Sequence, residues 1–269
     1  MGKTIILVGC GNMGYAMLKG WLAAGKLKAG EIAVVEPNET LRSRAVSHGI
    51  HAAAAPEELE ASTADLVVFA VKPQMIRDVV PAYRRFMPDA TFLSVAAGTS
   101  IATFEDILGT DAAIIRCMPN TPAAIGEGVM VLFANARVRP EAREFVSDLL
   151  SANGAVATVE DEALMDAVTA VSGSGPAYLF HFIECLMAAG EEAGLPAETA
   201  RLLAMQTIYG AAALAKTSGE DPARLREQVT SPGGTTAAAL SVLMGEDRLK
   251  SLMREAVAAA KKRSIELGA

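Results

Sequence analysis

The residues with the plainest chemical reading lie near the start of the chain. Val8-Gly9-Cys10-Gly11-Asn12-Met13-Gly14 follows the apolar run Thr4–Val8 and leads into the helix-like stretch Ala16–Ala24. In a strand–turn–helix setting, G-x-G-x-x-G is a dinucleotide-binding turn. The first glycine allows the tight turn, the second lets a pyrophosphate approach the backbone, and the third lets helix and strand pack closely. Free N–H groups and the positive end of the helix complete an anion site. Cofactor contacts are therefore expected from Gly9, Cys10, Gly11, Asn12, Met13 and Gly14; the bland alternative is a glycine turn with no ligand. Cys10 occupies an x position set by packing, so no redox role follows.

Further candidates lie where strands end. Glu36 stands 22 residues after Gly14, at the end of the second β-like run. A carboxylate there accepts hydrogen bonds from ribose hydroxyls and repels a 2′-phosphate, which favours NADH over NADPH. The competing reading is a solvated charge at a strand end. Ala70-Val71-Lys72-Pro73 ends the run Leu66–Val71, at the edge where open α/β sheets bind ligands. Lys72 suits contact with cofactor or substrate and equally suits a surface lysine at a helix start. Ala96-Ala97-Gly98 follows the run Thr91–Val95, and its small residues suit a nicotinamide ring lying against backbone.

The elements that must position these residues follow from patterning. Thr4–Val8, Ile32–Val35, Leu66–Val71, Thr91–Val95 and Ala113–Cys117 are β-like, and between them Ala16–Ala24, Glu39–His48, Gln74–Phe86 and Ile101–Leu108 are helix-like. Val129–Phe133 and Ala155–Val159 add strands around a helix over Pro140–Ala152. Alternating β and α units predict a Rossmann-type, mostly parallel sheet covered on both faces, over residues 1–158. From 159 to 269 the β signal stops, and apolar residues recur at spacings of three and four, predicting an all-α domain. Ala200–Leu214 is apolar nearly all round. Together with Leu240–Ala260 it needs partners beyond one chain's helices, so the helical domain is expected to dimerise.

Composition narrows the function classes. Of 269 residues 51% are apolar and 20% charged, which excludes intrinsic disorder. A net charge of −7 disfavours nonspecific binding to nucleic acid or an anionic membrane. No apolar run reaches the roughly 18 residues of a membrane-spanning helix, and no signal-peptide pattern precedes the first strand, so a cytoplasmic location is expected. The three cysteines, Cys10, Cys117 and Cys185, form neither a disulfide framework nor a metal-ligand cluster.

Four further motifs have no reading from composition: Ala70-Val71-Lys72-Pro73, Arg116-Cys117-Met118-Pro119-Asn120-Thr121-Pro122, Ser172-Gly173-Ser174-Gly175-Pro176-Ala177-Tyr178 and Ser231-Pro232-Gly233-Gly234-Thr235-Thr236. In this order, with the glycine turn, they resemble the pyrroline-5-carboxylate reductase family over essentially the whole chain. The resemblance implies NAD(P)H-dependent reduction of 1-pyrroline-5-carboxylate to L-proline, a homodimer with interlocked helical domains and, in several members, assembly into decamers. It implies a substrate pocket formed by Asn120, the Ser172-Gly173-Ser174-Gly175 loop and the Ser231, Gly234, Thr235 and Thr236 loop, with Glu162 nearby. Thr236 matches the threonine that hydrogen-bonds the ring nitrogen. Glu36-Pro37-Asn38 departs from many members by offering no arginine to a 2′-phosphate, and it places Asn38 at the cofactor.

From spacing alone, the Ser/Gly/Pro segments are as readily caps and turns. Thr236 itself is either a catalytic hydroxyl or a helix N-cap. Two other classes compete with the reductase reading. A β-hydroxyacid dehydrogenase of similar build would need a lysine early in the helical domain, and none follows Gly173 before Lys216. A catalytically silent nucleotide sensor would not need an intact SPGGTT loop.

Overall fold

The computed structural model describes residues 3–59 and 61–268. Its strands are β1 (Ile5–Val8), β2 (Ile32–Val35), β3 (His51–Ala53), β4 (Leu66–Phe69), β5 (Thr91–Ser94), β6 (Ala113–Met118), β7 (Gly128–Ala134) and β8 (Gly154–Thr158). They form one sheet in the order β3-β2-β1-β4-β5-β6-β7-β8. Pairing is parallel from β3 to β6, antiparallel between β6 and β7, and parallel again between β7 and β8. The order 3-2-1-4-5-6 is that of a doubly wound dinucleotide-binding sheet, and its direction of travel reverses between β1 and β4.

The runs IILV and LVVF of β1 and β4 are wholly buried, because helices cover both faces. Alternate residues serve opposite cores. Ile5 and Leu7 pack with Met17, Trp21 and Leu149 on the side of α1 (Asn12–Ala23), while Ile6 and Val8 pack with Tyr83 and Phe104 on the other. The helices that follow are α2 (Glu39–Val46), α3 (Ile76–Val79), α4 (Ile101–Leu108), α5 (Pro140–Leu150) and α6 (Met165–Val168).

Two sequence expectations change here. The single helix expected over Gln74–Phe86 is a 3₁₀ turn, the short α3 and a 3₁₀ run over Val80–Phe86. Pro81 accounts for the break, since its ring lacks an N–H and clashes with the carbonyl four residues earlier. The edge strand β3 was not expected, because His51-Ala52-Ala53 has no β-branched residue; its pairing with β2 defines it.

The chain divides into two compact units, residues 1–174 with 260–269, and residues 175–259. This division differs from the expected 1–158 and 159–269. The first unit keeps the segment after β8 because Met165 and Ala170 are buried in it. It also keeps the end of the last helix, where Ser264 Oγ donates to Asp166 Oδ1 at 2.6 Å.

The second unit is all-helical, as expected: α7 (Gly175–Glu192), α8 (Ala197–Ser218), α9 (Pro222–Gln228), α10 (Thr235–Met244) and the first part of α11 (Arg248–Gly268). Helices α7 and α8 form a hairpin through Gly194, whose φ of +99° requires glycine. Among its described residues only Ala200 and Ala204 are buried, whereas Leu202, Met205, Tyr209, Leu214, Val242 and Leu252 are exposed. The nearly all-apolar α8 is therefore uncovered within a single chain.

The single tryptophan, Trp21, is fully buried in the core between α1 and the sheet. Trp21→Ala should lower the unfolding free energy by about 3–5 kcal/mol, measured by urea titration followed by circular dichroism. A loss below about 1 kcal/mol would show that α1 does not pack as described.

Candidate active site

The glycine turn is built from backbone contacts. Gly9 leaves β1 with φ +94°, and its N–H donates to Val35 O at 2.8 Å. A Cβ on Gly9 would lie 2.8 Å from Ala70 O, and one on Gly14 would lie 2.2 Å from Gly9 O. Both glycines are required because α1 is laid directly on the ends of β1 and β4. Gly11 is different: a Cβ there would meet nothing within 4 Å. The second glycine thus faces open space at the start of α1, where it is the N-cap and no side chain caps the helix. The first-turn N–H groups, including those of Met13 and Gly14, have no intrahelical acceptor and carry the positive end of the helix dipole. This cradle fits a pyrophosphate.

A cavity of about 470 Å³ adjoins the turn, lined by Gly9, Gly11, Glu36, Ala70, Val71 and Lys72, among others. It sits where the strand order reverses, the position expected of a dinucleotide site. The carboxyl edge sets the remaining candidates in sequence. Glu36 N–H continues the sheet to Ala53 O, Ala70 N–H bonds Val8 O, and Val95 N–H bonds Phe69 O. Strands lie about 4.8 Å apart, so the ends of β2, β1, β4 and β5 present Glu36, Gly9–Gly14, Ala70–Pro73 and Val95–Ala97 along roughly 14 Å of edge.

Glu36 is only 7% exposed. Its Oε2 accepts from Cys10 N–H at 2.8 Å, and its Oε1 accepts from Asn38 N–H at 2.9 Å. The carboxylate therefore ties the glycine turn to the end of β2, which spacing alone did not reveal. Asn38 caps α2, its Oδ1 accepting from Leu41 N–H at 3.0 Å. An arginine does reach this corner, although none flanks Glu36 in sequence. Arg42, one turn into α2, donates through Nη1 to the carbonyls of Glu36 at 2.8 Å and Pro37 at 2.9 Å. Burial and the neighbouring Glu36 carboxylate push the Cys10 thiol up to about 11, so it stays protonated and unreactive. Lys72 is exposed at the cavity wall, at the N-cap of a short 3₁₀ turn.

Two substrate candidates meet in the first unit. Asn120 Oδ1 accepts from Val129 N–H at 2.9 Å, and its Nδ2 donates to Ser172 Oγ at 3.4 Å. Thr169–Gly173 is a π-helical turn, a feature found often at functional sites. A Cβ on Gly173 would lie 2.4 Å from Met118 Cε, so this turn is pressed against the end of β6. Ser174 and Gly175 follow, and Gly175 opens α7.

Glu162 has a defined partner set. Its Oε1 accepts from Arg116 Nη1 at 2.6 Å and from Ile101 N–H, the first N–H of α4, at 2.7 Å. The partners lie 46 and 61 residues away, so no local signal could have shown this.

In the second unit, Ser231-Pro232-Gly233-Gly234 is a turn. Gly234 N–H bonds Ser231 O at 3.0 Å, and Gly233 has φ +70°. Proline at the second position and a positive-φ glycine at the third are what such a turn needs. Gly234 is the N-cap of α10, and Thr235 and Thr236 are its first two residues. The alternative reading of Thr236 as the N-cap is therefore wrong. Its half-buried hydroxyl makes no hydrogen bond among the described residues. Among the described residues no cluster of His, Cys, Asp or Glu could hold a metal, and all three cysteines are free.

A doubly wound sheet with a glycine turn at its reversal point, joined to an uncovered helical unit, defines an oxidoreductase that uses a nicotinamide cofactor. Comparison with known proteins agrees. A family model for pyrroline-5-carboxylate reductase dimerisation matches residues 162–267, and one for coenzyme F420-dependent NADP oxidoreductases matches residues 4–98. The pyrroline-5-carboxylate reductase of Pseudomonas aeruginosa is 40% identical over 98% of this chain and 96% of its own length. A solved pyrroline-5-carboxylate reductase from Coxiella burnetii superposes with a TM-score of 0.93 at 34% identity, covering all of both chains. A pyrroline carboxylate reductase of Plasmodium falciparum, solved with NADP bound, gives a TM-score of 0.85 at 31% identity, covering 99% of this chain and 98% of its own. The chain belongs to the pyrroline-5-carboxylate reductase family, and the β-hydroxyacid dehydrogenase alternative is set aside.

The glycine geometry makes a paired prediction. Gly11→Ala should fold with a loss of no more than about 1 kcal/mol, the cost of a poor N-cap, yet weaken NADH binding at least about tenfold, or 1.4 kcal/mol. Gly14→Ala should lose stability as well, because the methyl meets backbone. Melting curves and NADH fluorescence titration read both. A Gly11→Ala protein with native affinity would mean that the open space is not the pyrophosphate site.

Proposed function

We propose that this protein reduces 1-pyrroline-5-carboxylate to L-proline with NADH or NADPH, the last step of proline biosynthesis. The observation that carries this reading is the full-length family match, combined with a carboxyl edge whose loops line up as a dinucleotide track. When bound, the nicotinamide supplies the hydride. The chain's own residues bind, orient and stabilise. First-turn N–H groups of α1 take the pyrophosphate, Val95 lines the nicotinamide side, and the small residues Ala96 and Ala97 leave room for the ring. Backbone N–H groups of the Ser172–Gly175 and Ser231–Thr235 segments suit the substrate carboxylate, with Asn120 fixing the first of these through Ser172. Thr236, its hydroxyl uncommitted, is assigned to the ring nitrogen. No titrating triad is needed, since holding the reacting atoms roughly 3–3.5 Å apart supplies most of the rate.

The enzyme is further read as a cytoplasmic homodimer with interlocked helical units; dimers gathered into a decamer are the larger form of the same reading. The exposed apolar faces of α8, α10 and α11 support a partner of the same kind. Among the described residues no helix is long and apolar enough to cross a membrane.

A steady loss of NADH absorbance with pyrroline-5-carboxylate, and no NADH formed from hydroxyacids plus NAD, is the expected result. Inactivity with both cofactors would leave a nucleotide-binding protein without this chemistry.

Two variants probe the roles. Thr236→Ala should lower kcat by roughly 10–150-fold, the value of one hydrogen bond to a partly charged group, about 1.5–3 kcal/mol. Thr236→Ser should keep much of the activity, and neither should shift the melting temperature. A Thr236→Ala enzyme with native kcat refutes the assignment.

Cofactor choice follows from Glu36. Its buried carboxylate opposes a 2′-phosphate, so NADH is expected to serve at least as well as NADPH. In Glu36→Ala, both cofactors should bind less well because the clamp on Cys10 N–H is gone. The kcat/KM ratio of NADPH to NADH should rise about five- to tenfold as about 1 kcal/mol of repulsion is removed. An unchanged ratio would place phosphate discrimination elsewhere.

A further inference from the structure

The middle of the loop after β5 has no polar side chain of its own. Ala96, Ala97 and Gly98 bring only methyls and a hydrogen, yet the proposed function sets the nicotinamide against them. Ser94 Oγ, at the end of β5, accepts from Ala96 N–H at 3.2 Å and holds the start of the loop; beyond that, two contacts from outside support it. At its far end, Ile101 N–H is held by Glu162 Oε1 at 2.7 Å, and Glu162 is itself held by Arg116. At its centre, Gly98 turns with φ +75° directly beneath the last turn of α11. A Cβ on Gly98 would lie 3.3 Å from both Gly268 N and Ser264 O, and a Cβ on Gly268 would lie 2.3 Å from Gly98 O. Backbone thus rests on backbone at two glycines.

The end of α11 is fixed in turn. Ser264 is 4% exposed, and its hydroxyl donates to Asp166 Oδ1 at 2.6 Å. Asp166 and Glu162 are four residues apart in one helical run, the spacing that puts side chains on one face. One short run therefore foots both supports: Glu162 directly at Ile101, and Asp166 through Ser264 and Gly268 at Gly98.

We propose that the last turn of α11, through Gly268 and Ser264, is a positioning element for the nicotinamide loop Ala96–Gly98. This rests on the proposed function only in assigning the nicotinamide to that loop. Gly268 and Ser264 act through Gly98. A methyl at Gly268 has the Gly98 carbonyl in its way, so the loop or the helix end resting on it must shift. Ser264→Ala releases the helix end without adding bulk.

The test compares NADH with ADP-ribose, which keeps the adenosine and pyrophosphate but lacks nicotinamide. Gly268→Ala should weaken NADH binding by about fivefold and lower kcat by roughly 10–100-fold, the scale of a small misplacement of reacting groups. ADP-ribose affinity should change less than about twofold. Ser264→Ala should shift the same quantities in the same direction by less, and it serves if Gly268→Ala does not fold. Glu266→Ala, on the exposed face of the same turn, should change none of them. Equal losses for NADH and ADP-ribose, or a lower melting temperature with native NADH affinity and kcat, would overturn the proposal. A wild-type protein that binds NADH but does not reduce pyrroline-5-carboxylate would sink the reaction reading, while the NADH to ADP-ribose comparison still decides this one.

Discussion

The rest of the structure depends on one close approach of backbone to backbone. Gly14 of α1 lies against the carbonyl of Gly9, and Gly9 lies against the carbonyl of Ala70. That contact seats the first helix on the ends of β1 and β4, where the sheet reverses its order. With α1 seated there, its free N–H groups point at the open space beside Gly11, and the cavity lies alongside. Any side chain at Gly9 or Gly14 lifts the helix away. Glu36 secures the arrangement from the other side, its carboxylate bridging Cys10 N–H and Asn38 N–H. The acidic residue at the end of β2 is thus a structural clamp as well as the group proposed to meet a ribose.

The two units solve the problem of burial in different ways. The sheet unit has a filled core on each face, with Trp21, Tyr83, Phe92 and Phe104 fully enclosed. The helical unit encloses little more than Ala200 and Ala204 among its described residues, and it presents leucine, methionine and tyrosine to its surroundings. A stable fold does not leave so large an apolar face in water. The family's dimerisation model covers this region, which gives the face its explanation.

Much of this was legible in the sequence where a single local rule decides. Ile32–Val35 and Ile101–Leu108 form with the bounds expected, because a β-branched run between turns and a helix capped by Ser100 are unambiguous. The glycine turn was legible because its three positions have distinct steric duties. β3 was not, since an alanine run takes its conformation from the strand beside it. Side-chain partners distant in sequence were equally hidden. Glu162 gave no hint of Arg116 and Ile101, Glu36 none of Cys10, and the short stretch around Glu36 concealed the return of Arg42 from α2. The substrate segments were recognisable by resemblance and not by physics, because serine and glycine before a helix read equally as turns.

In the proposed function a dinucleotide lies along the carboxyl edge from Glu36 to Gly98. Amide hydrogen exchange with and without NADH tests it most directly. Protection is expected in residues 9–14, 36–38, 70–73 and 95–98, with no change at the opposite edge of the sheet around Lys3, Asp65 and Asp89. Protection absent from the glycine turn, or confined to that opposite edge, would contradict the account.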